Sequence, residues 1–161
     1  MKTRITLILI SLLPLPVGFF ANHLFMTVWW YIYPAGWHWF TGLFFILLWF
    51  ACGLIFTRWI ESRRDLLICI NIVPGLILVM TIIQELIINR FWSNWIGVST
   101  QMYYLPIMHI PARLLLIFPI TVRVSSICFV AFCILFLASF LGRRRGEHLI
   151  RLPLPAGAGE R

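Results

Sequence analysis

Hydrophobic residues run through this chain in long blocks rather than in alternation. From Ile5 to Phe56 no Lys, Arg, Asp or Glu interrupts the sequence. A helix that crosses a bilayer needs about 20 apolar residues. The block is therefore long enough for two such helices. The reversal between them is expected at Tyr33-Pro34-Ala35-Gly36, because proline and glycine punctuate helices. The predicted spans are residues 5–31, 37–57, 66–88 and 124–141. The first begins like a secretory leader, with Lys2 and Arg4 ahead of an apolar stretch. Phe19, three positions before the point where Ala21 would end a leader, is too large for a small-x-small cleavage site. An uncleaved helix kinked at Pro14 and Pro16 is expected instead.

Residues 105–122 are apolar too, but Pro106, Pro111 and Pro119 interrupt them and Arg113 sits among them. The pattern predicts a short helix over 111–118, lying at the outer interface or dipping into the membrane. Proline suits a first helical turn. A fifth span is the alternative reading, and it would carry Arg143, Arg144 and Arg145 to the opposite side.

Composition turns these blocks into a fold class. The chain has 161 residues, 61% hydrophobic and 11% charged, with a mean hydropathy of +0.96. Soluble domains are about 25% charged. A soluble domain of this size leaves too much of its surface in water to hide so many apolar side chains. The expectation is an all-α integral membrane protein: a bundle of four transmembrane helices over residues 1–142, then a basic, irregular tail over 143–161.

The net charge of +8 would suggest a nucleic-acid partner in a soluble protein. Its distribution argues otherwise. Lys2, Arg4, Arg58, Arg63, Arg64, Arg143, Arg144, Arg145, Arg151 and Arg161 are ten of the 13 basic residues. With four spans all ten fall on one side, and Arg90, Arg113 and Arg123 fall on the other. Basic residues favour the cytoplasmic side. Both termini are thus expected in the cytoplasm, in a bacterial cell (inner) membrane, with lipid and no nucleic acid as surroundings. Trp29, Trp30, Tyr31, Tyr33, Trp37 and Trp39 cluster at the first outer turn, and Trp92, Trp95, Tyr103 and Tyr104 in the second outer segment. Headgroup-level belts of Trp and Tyr are expected there.

Candidate chemistry is sparse. Cys52, Cys69, Cys128 and Cys133 lie in apolar runs without a C-x-x-C spacing, so packing is expected rather than a disulfide or metal. His23, His38, His109 and His148 show no i,i+4 pair. His23 with His109 is the one conceivable facing pair for haem, and neither metal nor cofactor is expected. No Walker A loop, dinucleotide fingerprint, H-E-x-x-H or G-x-S-x-G occurs.

The third span is the most informative. At about 100° per residue, Asn71, Gly75, Leu78, Glu85 and Asn89 share a face, with Thr81 at its edge. Such a seam should turn from lipid toward other helices, with a kink near Pro74. Glu85 is the one acid placed within or at the edge of a span. Ionisable residues there are functional candidates, as a proton or cation site, or structural partners of Arg90, Arg113 or Arg123. Arg113, with His109 nearby, could clamp a lipid phosphate or a carboxylate through paired hydrogen bonds. Gly42 and Gly53 share one helix face, Ala131 and Ala138 another; small residues at such spacing let helices approach. These faces close either the monomer or an oligomer.

Three functions are compatible with this pattern. The leading one is a non-enzymatic membrane protein acting through helix contacts with itself or a membrane partner complex. The second is a small transporter or channel component using Asn71, Glu85 and Arg113. The third is a membrane enzyme acting on lipid or quinone at the outer leaflet.

Overall fold

The computed structural model of the chain describes residues 2–27, 36–117 and 122–151. The expected turn at Tyr33–Ala35, the aromatic residues from Trp29 to Tyr33, Pro119 and segment 152–161 lie outside these, as do the side chains of 24–27 and 36–38. The described residues form helices and no strands. They are α1 (Lys2–Ser11), α2 (Pro14–Thr27), α3 (Gly36–Phe56), α4 (Arg63–Ile82), α5 (Trp95–Tyr104), α6 (His109–Leu115) and α7 (Val124–Arg151). A turn of π-helix, Ile83–Ile87, continues α4.

Four helical stretches are long and apolar enough to cross a membrane: Lys2–His23, Trp39–Phe56, Arg63–Ile87 and Val124–Arg151. The fifth span is not formed. The described residues of 105–122 hold the seven-residue α6, about 10 Å long at 1.5 Å per residue, against about 30 Å of hydrocarbon. The short helix does form, two residues earlier than its expected start at Pro111.

The first span breaks where proline demands it. Leu12 and Leu13 lie in a turn between α1 and α2. The Leu13 and Leu15 N–H groups reach back only three residues, to Ile10 and Leu12, across the gap left by the missing Pro14 N–H.

The expectation of an irregular tail from residue 143 is corrected: α7 continues to Arg151. The added turns are held by α3. Gly146 packs against Leu54 and Thr57 so closely that a Cβ would overlap them.

Helix α4 lies between α1 and α7, while α7 makes its most extensive contact with α3; α5 wedges against α2 and α4, and α6 against α3 and α7. The core joins Leu7, Phe45, Trp49, Leu66, Ile70, Tyr103, Tyr104 and Leu135. Phe44, Leu47, Leu76, Val79 and Leu137 point outward. Arg4 pairs with Asp65, and Arg63 lies 4.0 Å from Glu147. The starts of α1 and α4 and the end of α7 therefore meet at one arginine-rich end.

Candidate functional site

Asn71, Thr81, Gln84 and Glu85 place polar groups along α4 and its continuation. Asn71 is 6% exposed. Its Nδ2 donates to the Leu67 carbonyl at 3.0 Å and to Ser139 Oγ of α7 at 3.0 Å. Its Oδ1 is buried without a partner among the described residues. Thr81, on the same face, is buried and returns its hydroxyl to the Ile77 carbonyl. Gly75 faces α7 at ordinary distance; a Cβ there would stand 3.6 Å from the Phe132 ring.

At the end of α4 the 3.6-residue period stops. A π turn accommodates extra backbone, so faces extrapolated from α4 rotate. Gln84, at the start of that turn, still lies on the buried face of α4, five helical turns after Leu66, and is fully shielded from solvent. It organises the connection to α5: Oε1 accepts from the Trp92 N–H at 3.1 Å, Nε2 donates to Thr100 Oγ1 at 3.0 Å, and its carbonyl accepts from the Arg90 N–H at 2.9 Å. Asn89, on the expected buried face, is exposed. It takes φ 54°, a left-handed conformation that asparagine tolerates. Sequence reasoning missed Gln84, although it is the one amide in the run TIIQELII.

Glu85 takes up a helix terminus rather than an arginine. Its carboxylate accepts the Val124 N–H at 3.1 Å and the Ser125 N–H at 2.6 Å. These are N-terminal N–H groups of α7, which lack partners within their own helix and favour negative charge. Arg123 adds attraction from the residue before the helix. Among the described residues Glu85 forms no ion pair. The alternative of a structural ion pair with Arg90, Arg113 or Arg123 is therefore not formed among the described residues; Arg113 is exposed in the last turn of α6. His109, at the start of α6, meets the Trp39 ring edge-on at 5.0 Å.

Helix α5 brings two tyrosines into the core. Asn94 caps it, its Oδ1 accepting from the Gly97 N–H at 2.9 Å. Gly97 lies so close to Trp92 that a Cβ would overlap the Trp92 carbonyl. On the far side, Gly18 of α2 meets the Met102 backbone just as tightly. The helix thereby enters deep enough to bury Tyr103 and Tyr104 completely. The Tyr103 hydroxyl donates to the Ser11 carbonyl, at the break in the first span, at 2.6 Å. The Tyr104 hydroxyl donates to the Pro74 carbonyl, in the proline-containing turn of α4, at 2.7 Å. The headgroup expectation for these two tyrosines is thus corrected, whereas Trp95 is 82% exposed. Amphipathic rings seek water or a buried acceptor, and the proline breaks supply acceptors.

The small residues are spent within the chain. A Cβ on Gly53 would overlap the Ser139 carbonyl, and one on Gly142 the Phe50 carbonyl, so α3 and α7 touch backbone to backbone. Ala131 and Ala138 are buried. Gly42 sits against Ile110 of α6.

Arg143, in the sequence one of the cations that set the topology, is held inside the fold. Arg143 is 4% exposed. Its guanidinium donates to the carbonyls of Ile60 and Glu61, the latter at 2.6 Å, and to Glu147 Oε1 at 2.7 Å. It therefore satisfies the chain leaving α3. Its position between Gly142 and Gly146, on the face that touches α3, was the available signal.

Among the described residues no three His, Cys, Asp or Glu side chains gather as a metal site, and the four thiols are free. No protein-family model, curated protein or solved structure matches the chain.

Proposed function

We propose that this chain is a multi-pass cell-membrane protein, with both termini in the cytoplasm, that works by contact within the bilayer, with a second copy or a membrane partner. The observation that carries this reading is where most polar groups of the spans are spent, Asn71 Oδ1 being the exception. Gln84, Glu85, Tyr103, Tyr104 and Arg143 are committed to bonds that hold one helix to another or close a connection. A transport path needs polar groups available to a moving ion. Beyond the arginines of its first turn, the outward positions of α4, like those described in α3, are apolar, including Leu76 at 60% and Leu47 at 56% exposure, and suit lipid or another helix.

The test is photocrosslinking in native membranes, with a photoreactive residue at Leu47, Leu76 or the buried Trp49. A discrete protein adduct is expected from Leu47 or Leu76 and none from Trp49. Lipid adducts alone from both outward positions would overturn the reading. So would a proton or cation flux through the reconstituted chain that Glu85→Gln abolishes with helix content intact.

A further inference from the structure

At the arginine-rich end, a groove of about 630 Å³ runs between α4 and α7. Leu67, Ile68, Ile72, Phe132 and Phe136 form its apolar walls, Asn71 lines it deeper in, and Arg63 and Arg64 stand at its mouth. From Arg64 to Ile72 it follows α4 for about 12 Å, at 1.5 Å per residue. The two cations differ in their commitments. Arg63 leans toward α7, 4.6 Å over the Phe140 ring and 4.0 Å from Glu147. Arg64 is exposed and forms no ion pair among the described residues. Both lie in the first turn of a 20-residue helix, where the helix dipole also favours an anion. Cations at the mouth and an apolar trough beneath them match an amphiphile with an anionic head.

We propose that this groove seats one anionic phospholipid. Its phosphate lies against Arg64 and the free edge of Arg63. One acyl chain lies along Ile68, Ile72, Phe132 and Phe136. Arginine suits the phosphate because its planar fork of donors binds two oxygens at once. Glu147, outside the lining but 4.0 Å from Arg63, is an opposing charge, and its bond to buried Arg143 draws it toward the end of α3. The proposal rests on the membrane reading above.

The experiment compares retention of phosphatidylglycerol and phosphatidylcholine, with matched acyl chains, by the purified full chain in native mass spectrometry. Preferential retention of phosphatidylglycerol is expected. Arg64→Gln is expected to weaken it about fivefold, the scale of one basic residue beside an anionic headgroup. Ile72→Trp, which fills the trough but keeps the charge, is expected to weaken it as well, with helix content unchanged. Arg145→Gln, an exposed arginine at the same end but outside the groove, serves as the control and is expected to have little effect. Equal losses for Arg145→Gln and Arg64→Gln would show diffuse attraction and overturn the proposal. Undiminished binding by Ile72→Trp would overturn it too. Release of the chain from membranes by alkaline washing would instead overturn the membrane reading. Firm retention in washed membranes without lipid preference would overturn the lipid site alone.

Discussion

Arg143 shows how much one side chain carries here. Its guanidinium sits inside the seam between α3 and α7 and takes up carbonyls that the end of α3 leaves over. Removing it strands the buried Ile60 carbonyl away from water, and buried groups that lose a charged partner are costly. Arg143→Met is expected to destabilise the fold by about 3 kcal/mol, on the scale of lost charged hydrogen bonds. Arg144→Met, one residue on and exposed, is expected to change little. Thermal unfolding of both variants in mild detergent checks the contrast; equal losses would remove Arg143 from this role. The glycines beside it act by absence of bulk. At Gly53 and Gly142 the space a Cβ needs is filled by the facing backbone, whereas Gly75 has room for one.

At the scale of elements, α5 is the piece that ties the bundle together. Ten residues make too short a helix to cross a membrane, yet its end reaches two separate spans. Proline breaks leave backbone carbonyls with fewer partners, and in lipid such groups must be satisfied by protein. The missing Pro74 N–H frees the Ile70 carbonyl, one turn before the carbonyl that Tyr104 bonds. Tyr104 therefore reinforces the weakened turn rather than filling the vacant position. At the other break Tyr103 bonds Ser11 directly. Tyr103→Phe and Tyr104→Phe are each expected to cost about 1 kcal/mol, the usual net worth of one such bond. Hydrogen exchange in α5 is expected to accelerate in both and most in the double variant. Unchanged exchange in the double variant would mean that packing alone, through Gly18 and Gly97, holds α5 in place.

For the whole molecule, the decisive property is that the arginine-rich ends of α1, α4 and α7 meet, while α5 and α6 lie between the opposite ends of α4 and α7. In the topology proposed above, Asn94 and Arg145 face opposite sides of a membrane. In a cysteine-free background, Asn94→Cys is expected to react with an impermeant maleimide added outside intact cells. Arg145→Cys is expected to react only after permeabilisation. Labelling of both from one side would break the four-span topology. The same arrangement makes α3 and α7 one unit, since their shared seam uses Gly53, Gly142 and Gly146 at backbone contact. A helix partner of the kind proposed would then meet larger outward side chains such as Leu47 and Leu76.

Four apolar helices, the break before Pro14, the inward turn of Asn71 and Thr81, and the gathering of arginines at one end were legible in the sequence. Each follows from local physics: the length of an apolar run, the missing proline N–H, the helical period and the cost of moving charge through lipid. Tertiary structure alone decided the fate of the amphipathic residues. Tyr103 and Tyr104 could satisfy their hydroxyls at a headgroup or at a buried carbonyl, and the choice depended on acceptors in α1 and α4. Glu85 could meet an arginine or a helix terminus, and the start of α7 supplied the terminus. Gln84 faces inward on the same 3.6-residue period that buries Leu66, Ile70 and Thr81, but only the folded connection to α5 brings Trp92 and Thr100 to its amide. Such side chains have more than one favourable partner, and only the packed arrangement of distant segments selects among them.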